Sequence, residues 1–239
     1  MSGSASGADH EDSYVLHAWP YQETSQILEA LGAQHGRVGL VARGARRPTS
    51  RWRSVLQPFL PVRLSWVGRG SLYTLRSAEP ASFAPALSGL ALMGGFYLNE
   101  LILNFVRRGD PHPGLFIAYS QALADLRAGG DPEPALRRFE FQLLAEVGYG
   151  LNLDHDVLND VPLDPAGVYE YRLEQGPVPA AAGGEGLTFT GTELRAIGRG
   201  DFSSPVILRL AKRLFRAVLA HYLDGRTLKT REVMAAMRR

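Results

Sequence analysis

The chain has 239 residues, enough to bury a real core either as one large domain or as a small domain followed by a larger one. It has no cysteine, which excludes a disulfide framework and any thiolate zinc site, and this fits a reducing, cytoplasmic setting. Formal net charge is only +2, but between Tyr14 and Glu79 the cations Arg37, Arg43, Arg46, Arg47, Arg51, Arg53, Arg63, Arg69 and Arg76 are opposed only by Glu23, Glu29 and Glu79, so the first third is strongly basic.

Met1 to Asp12 is rich in Ser, Gly and Ala and lacks the positive flank and apolar stretch of a secretion signal, so residues 1–12 are expected to form a flexible tail. The most apolar region, Gly94 to Phe105, soon meets Asn99, Glu100 and Asn104. It falls short of the roughly 20 apolar residues of a membrane span, so no membrane association is expected. From Tyr14 to Ala78 the residues alternate, as in Val38, Leu40, Ala42 and again Val62, Leu64, Trp66. Strands are predicted near 13–18, 25–31, 37–43, 54–65 and 71–77, broken at Pro20, His35-Gly36, Ala45 to Ser50 and Gly68-Arg69-Gly70. Five short strands with one longer connection suit an OB-type barrel over 13–80, although a small SH3-like barrel would read much the same.

After Pro80 the period becomes helical. Leu87, Leu90, Ala91, Tyr97, Leu98, Leu101, Ile102 and Phe105 form one set, and Leu115, Phe116, Tyr119, Leu123 and Leu126 a second. Asp131-Pro132 opens a third helix through Leu136, Phe139, Leu143 and Val147, ending at Gly148 or Gly150. An irregular stretch follows, with a β pair predicted at 168–172 and around Val178 and a turn at Gly183-Gly184. Thr190 with Glu193 then makes a capping box, Ser204-Pro205 starts a longer helix running to Gly225, and a short helix follows Thr230. The expected fold is therefore α+β: a barrel, then a mainly helical domain over 81–239 with an irregular β-containing insertion at about 151–188.

Several ordered motifs carry a family resemblance. Tyr14-Val-Leu-His-Ala-Trp-Pro-Tyr-Gln-Glu-Thr-Ser25, Gly36-Arg-Val-Gly-Leu-Val-Ala-Arg-Gly-Ala-Arg46 and Leu56-Gln-Pro-Phe59 resemble the N-terminal domain of bacterial RecO. Thr74-Leu-Arg-Ser-Ala-Glu79, Tyr97-Leu-Asn-Glu-Leu101, Glu133-Pro-Ala-Leu-Arg-Arg-Phe-Glu140, Gly148-Tyr-Gly150, Phe189-Thr-Gly191 and Ala211-Lys-Arg213 continue the likeness in the same order. The resemblance implies a non-enzymatic recombinational repair mediator that binds single- and double-stranded DNA and anneals complementary strands. It also implies engagement of the acidic C-terminal tail of single-strand-binding protein SSB, work with RecR, and indirect help to RecA loading. Many relatives hold zinc on four cysteines between the third helix and the C-terminal helices. Here Asn152 to Ala182 has none, so the chain resembles the zinc-free branch, and no metal or other cofactor is expected.

Arg43, Arg46, Arg47, Arg51 and Arg53 are the candidate phosphate-tracking residues, since a basic loop at a barrel edge gains sequence-independent affinity through counterion release. Trp52 among them either stacks on a base or caps the barrel core, while Trp19, Tyr21, Trp66 and Tyr73 read as core or domain-junction residues. Arg37, Arg63 and Arg76 alternate with apolar neighbours and read equally well as solvated. For the SSB tail, Arg137, Arg138 and Phe139, with Lys212 and Arg216 on the later helix, are the candidates, because an acidic, apolar-ended tail needs a hydrophobic pocket rimmed by cations. On this reading Arg137→Glu weakens tail affinity with little change in thermal stability. Asp154, His155, Asp156 and Asp160 match no common metal spacing, and a metal-dependent nuclease or phosphoesterase using that loop is the alternative reading.

Overall fold

The computed structural model describes residues 6–181 and 186–236. The chain divides into two compact units, Met1–Ala128 and Gly129–Arg239. The expected boundary at 80/81 follows the change of periodicity, whereas the first two helices group with the barrel.

The first unit is built on strands β1 (Ser6–Tyr21), β2 (Ser25–Gly32), β3 (Gly36–Ala42), β4 (Pro61–Gly68) and β5 (Tyr73–Pro80). They form a closed barrel in the order β1-β2-β3-β5-β4, with β3 and β5 parallel, the arrangement of an OB-type Greek-key barrel. Val15, Leu28, Ala30, Val38, Leu40, Val62, Leu64, Trp66 and Leu75 fill its interior, so the predicted alternation on β3 and β4 points inward. Strand β1 starts earlier than expected. Residues 6–12 of the expected tail pair with β4, from Ser6 opposite Gly68 to Asp12 opposite Arg63, while residues 1–5 lie outside the described residues. The pairing is made by backbone, which small polar side chains do not advertise. The same segment is tied to the β2–β3 turn by the buried carboxylate of Glu11, whose Oε1 accepts the N–H groups of Gln34 (2.8 Å) and His35 (2.9 Å).

Residues 54–60, predicted as the start of a strand, are not one. The Leu56 N–H bonds the Trp52 carbonyl at 2.9 Å in a helical turn, Pro58 makes only an isolated bridge with Val15, and Phe59 turns at φ 70° before β4 begins at Pro61. Helices α1 (Gly89–Phe105) and α2 (Pro113–Ala128) complete this unit. Asn99 of α1 donates to the Leu16 carbonyl (2.7 Å) and accepts from the Tyr119 hydroxyl of α2 (2.6 Å), a buried relay tying both helices to β1. Burial raises the Tyr119 pKa far above the ordinary phenol value, so this hydroxyl stays a donor.

The second unit holds α3 (Glu133–Glu146), a short ladder of β6 (His155–Asp156) and β7 (Val161–Pro162), a sheet of β8 (Val168–Arg172), β9 (Gly176–Pro179) and β10 (Thr188–Thr190) in the order β10-β8-β9, and helices α4 (Gly191–Gly198), α5 (Pro205–Tyr222) and α6 (Lys229–Ala236). Asp131 receives the Glu133 N–H at 3.0 Å at the start of α3. The capping box is present: Thr190 Oγ1 accepts the Glu193 N–H, and Glu193 Oε2 accepts the Thr190 N–H. The Gly183-Gly184 turn lies outside the described residues. Among the described residues no helix is long and apolar enough to cross a membrane.

Candidate nucleic-acid interface

The connection from β3 to β4 is a chain of turns whose apolar members face in and whose cations face out. Gly44 adopts φ +70°, which starts the turn at little strain. Ala45 and Leu56 are buried, and Trp52 and Val55 pack against the barrel core. Between these anchors Arg43, Arg46, Arg47, Arg51 and Arg53 are all exposed, and none forms an ion pair among the described residues. The Arg46 N–H donates to the Thr24 carbonyl at 2.9 Å, and its guanidinium lies 3.4 Å from the Gln22 and Glu23 carbonyls, so the loop is stitched to the β1–β2 turn. Tyr21, expected in the core or at a domain junction, is 39% exposed at that same turn. Trp52 is half-buried. Its indole Nε1 is buried with no acceptor among the described residues, and the Arg51 guanidinium lies 5.8 Å from its ring centroid.

The remaining arginines of the basic third are not equivalent to these. Arg37 Nε bonds Glu29 Oε2 at 2.7 Å, and its Nη1 donates to the Leu103 and Val106 carbonyls at the end of α1. Arg108 reaches the same buried carboxylate, with Nε 3.0 Å from Glu29 Oε1. A Cβ on Gly39 would come within 2.7 Å of the Arg108 guanidinium, so the absence of a side chain there admits the arginine. The pair Arg37–Arg108 on Glu29 is therefore structural, and sequence reasoning missed it because Arg108 lies far down the chain. Arg63 pairs with exposed Asp12 at 3.3 Å, and Arg69 and Arg76 are exposed.

In the second unit the tail candidates separate. Arg137, placed by its sequence context at the border of a helix face, is 4% exposed and bonds Glu140 Oε1 at 2.8 Å, with Glu133 Oε2 at 3.9 Å. Lys212 of α5 bonds Glu133 at 2.5 Å, so α3 and α5 share one charge network. Phe139 is 1% exposed. Arg138 and Arg216 are exposed, and Lys212 is half-exposed. The expectation that Arg137→Glu would spare stability is overturned by this burial, because the substitution leaves Glu140 charged, buried and without its arginine.

The profile described as "Recombination protein O N terminal" matches residues 9–84, and "Recombination protein O C terminal" matches residues 87–232. The chain belongs to the RecO family. It is 45% identical to the DNA repair protein RecO of Aromatoleum aromaticum over 227 residues, 95% of each chain. It is 42% identical to that of Nitrosospira multiformis (94% of this chain, 93% of the relative) and 42% identical to that of Photobacterium profundum (92% and 93%). The RecO relationship supports a role in recombinational DNA repair, and the junction between the two profiles falls just beyond β5.

In this RecO chain the acidic loop after α3 serves its own turns. Asp156 accepts from the N–H groups of Leu158 (2.9 Å) and Asn159 (3.4 Å) and from the Asn159 amide (2.7 Å). Burial raises the pKa of its carboxyl, but these donors outweigh that and hold it below the ordinary aspartate value. Asp154 pairs with its neighbour His155 at 3.0 Å, and Asp160 takes φ +54° at the tip. Among the described residues no three His, Asp or Glu are grouped to hold a metal ion.

Proposed function

We propose that the chain is a non-enzymatic recombination mediator that binds single- and double-stranded DNA through the barrel's arginine loop and anneals complementary strands. The observation that carries this reading is the set of five exposed arginines between Ala42 and Ser54 with no carboxylate partner among the described residues. Cations held in place without counter-charges release counterions from a phosphate backbone at little folding cost. Lowering the repulsion between two strands favours their pairing. The helical region supplies the protein contact: Arg138, Lys212 and Arg216 present cations to the acidic C-terminal tail of SSB, while buried Arg137 and Phe139 support them. Together with RecR this delivers RecA to SSB-coated DNA in the cytoplasm, at the nucleoid, without resident metal or cofactor.

The test is a titration of fluorescent single-stranded DNA over a salt series, with the products also run on a gel with and without magnesium. Replacing Arg46, Arg47, Arg51 and Arg53 together by Ala is expected to flatten the log K against log salt slope by about 0.7 per lost phosphate contact. An unchanged slope places DNA elsewhere, and cleaved product assigns the Asp154–Asp160 loop a catalytic role. SSB titrated with and without its tail checks the second contact.

A further inference from the structure

We propose that the arginine loop holds a seat for a single unpaired nucleobase, so that this surface reads strandedness through a base as well as charge through phosphates. The proposal rests on the DNA-binding reading above and deepens it. Phosphate tracking needs only exposed cations, yet the loop and β2 line an open pocket of about 330 Å³. That is at the small end of the roughly 300–1,000 Å³ range of small-molecule sites, room for one nucleoside rather than a run of them.

The lining mixes three kinds of group. Arg46 and Arg53 bring two guanidiniums, Trp52 and Leu56 supply apolar wall, and Gln26 and Gln57 bring two carboxamides. A carboxamide offers both donors and an acceptor, the combination that matches the mixed edge of a base. The Gln57 amide nitrogen already donates to the Arg53 carbonyl at 2.5 Å, which leaves its oxygen as an acceptor. Gln26 sits on a strand and is half-buried, so its amide projects from a rigid element.

A base in a duplex has its edge paired and its faces stacked, so only a single strand can insert one here. A carboxylate-ended peptide would use the guanidiniums and the Gln57 oxygen, whereas a base, a flat ring with donor and acceptor on one edge, also uses the Trp52 and Leu56 wall together with both carboxamides. The nucleobase therefore accounts for more of the lining.

The experiment measures affinity by fluorescence anisotropy for oligo-dT, and for the same oligomer with its bases removed, at several salt concentrations. The proteins are wild type, Gln26→Ala/Gln57→Ala and Arg46→Ala/Arg53→Ala, each checked for fold by circular dichroism. Wild type is expected to bind the intact strand about fivefold or more tighter than the abasic one, the effect of one base contact. The glutamine variant should shrink that ratio severalfold with its salt slope unchanged, and the arginine variant should lose slope. If wild type binds both strands equally with a normal slope, the base seat is wrong while the DNA reading stands. A ratio that survives intact in the glutamine variant places the base contact elsewhere and also overturns the proposal. If an acidic peptide binds instead, with affinity that needs Gln26 and Gln57, the pocket belongs to a peptide. A slope indifferent to Arg46 and Arg53 and to the rest of the loop removes the DNA reading itself, and this proposal with it.

Discussion

Two pairs of adjacent arginines, Arg46-Arg47 in the barrel loop and Arg137-Arg138 on α3, look alike in sequence and meet opposite fates. Both members of the first pair are exposed, and no carboxylate pairs with them among the described residues. In the second pair Arg138 is exposed, but Arg137 is buried between Glu133 four residues before it and Glu140 three residues after. What separates them is the supply of carboxylates one helical turn away. The loop arginines form no ion pair among the described residues and carry mutual repulsion, and their charge is available to an outside polyanion. The charge of Arg137 is spent inside the protein, and the network it joins reaches α5 through Lys212.

The contrast breaks most visibly where a carboxylate holds two arginines. Glu29 is 1% exposed and pairs with Arg37 and Arg108. Glu29→Ala leaves two partly buried guanidiniums facing each other and is expected to cost about 3–5 kcal/mol, the usual penalty for stripping one partner from a buried pair. Thermal unfolding followed by circular dichroism measures it. A loss under about 1 kcal/mol would mean that water replaces the carboxylate and that the cluster is not structural. Arg137→Glu comes next, at about 3 kcal/mol, because it removes an ion-pair partner of Glu140, whose side chain is fully buried, and adds a like charge. Here the transition should shift down by several degrees. Unchanged melting would show that the Arg137 side chain can leave its site freely.

These two cases also mark what was legible beforehand. The barrel could be read from alternation in Val38–Leu40–Ala42 and Val62–Leu64–Trp66, because one face of each strand packs inside and period-two patterning records that directly. The capping box at Thr190 and Glu193 was legible for the same kind of reason, a local pattern with a local partner. Residues 6–12 were not, since their pairing with β4 is made by backbone and Glu11 is tied to the turn at Gln34. Within the candidate site, the loop arginines stood out by composition. Alternation with apolar neighbours set Arg37 apart from them, but its ion pair was not legible, because Glu29 and Arg108 are set around it by the fold. The fate of Arg137 was partly written in the i−4 and i+3 positions of Glu133 and Glu140.

A smaller effect is expected from acid. The Asp156 carboxyl is held below the ordinary aspartate pKa of 3.8, burial being outweighed by the Asn159 amide and the Leu158 and Asn159 N–H groups. A depressed folded pKa contributes stability above the unfolded value and loses it as pH falls through the folded value. The turn at 156–160 should thus stay protected at neutral pH and loosen only below about pH 4. Hydrogen exchange and chemical shifts of the Leu158 and Asn159 amides against pH follow it, and a midpoint at or above the ordinary value would contradict the hydrogen-bond account. Asp156→Ala should abolish the pH dependence at those two amides.

The smallest change in stability is expected where the change in DNA affinity is large, and this gives the comparison its sharpest form. Arg46, Arg47, Arg51 and Arg53 are exposed, and among the described residues the only hydrogen bonds their guanidiniums make are the long 3.4 Å contacts of Arg46 to the Gln22 and Glu23 carbonyls. The loop is anchored instead by Ala45, Trp52, Val55 and Leu56 and by the Arg46 backbone on Thr24, none of which an arginine-to-alanine change removes. Surface substitutions of this kind alter stability by no more than about 0.5 kcal/mol each, and relief of repulsion among four clustered cations acts in the stabilising direction. The quadruple alanine variant should therefore melt with wild type, within a few degrees, while its affinity for single-stranded DNA falls and becomes less sensitive to salt. The same measurement on Arg137→Ala should give the reverse, a lowered melting transition with DNA affinity of the folded protein unchanged. If both variants lost stability, the loop arginines would be structural as Arg37 is. If neither affected DNA binding, the unpaired cations would be an ordinary solvated surface, and exposure without a carboxylate partner would not be enough to mark a nucleic-acid site.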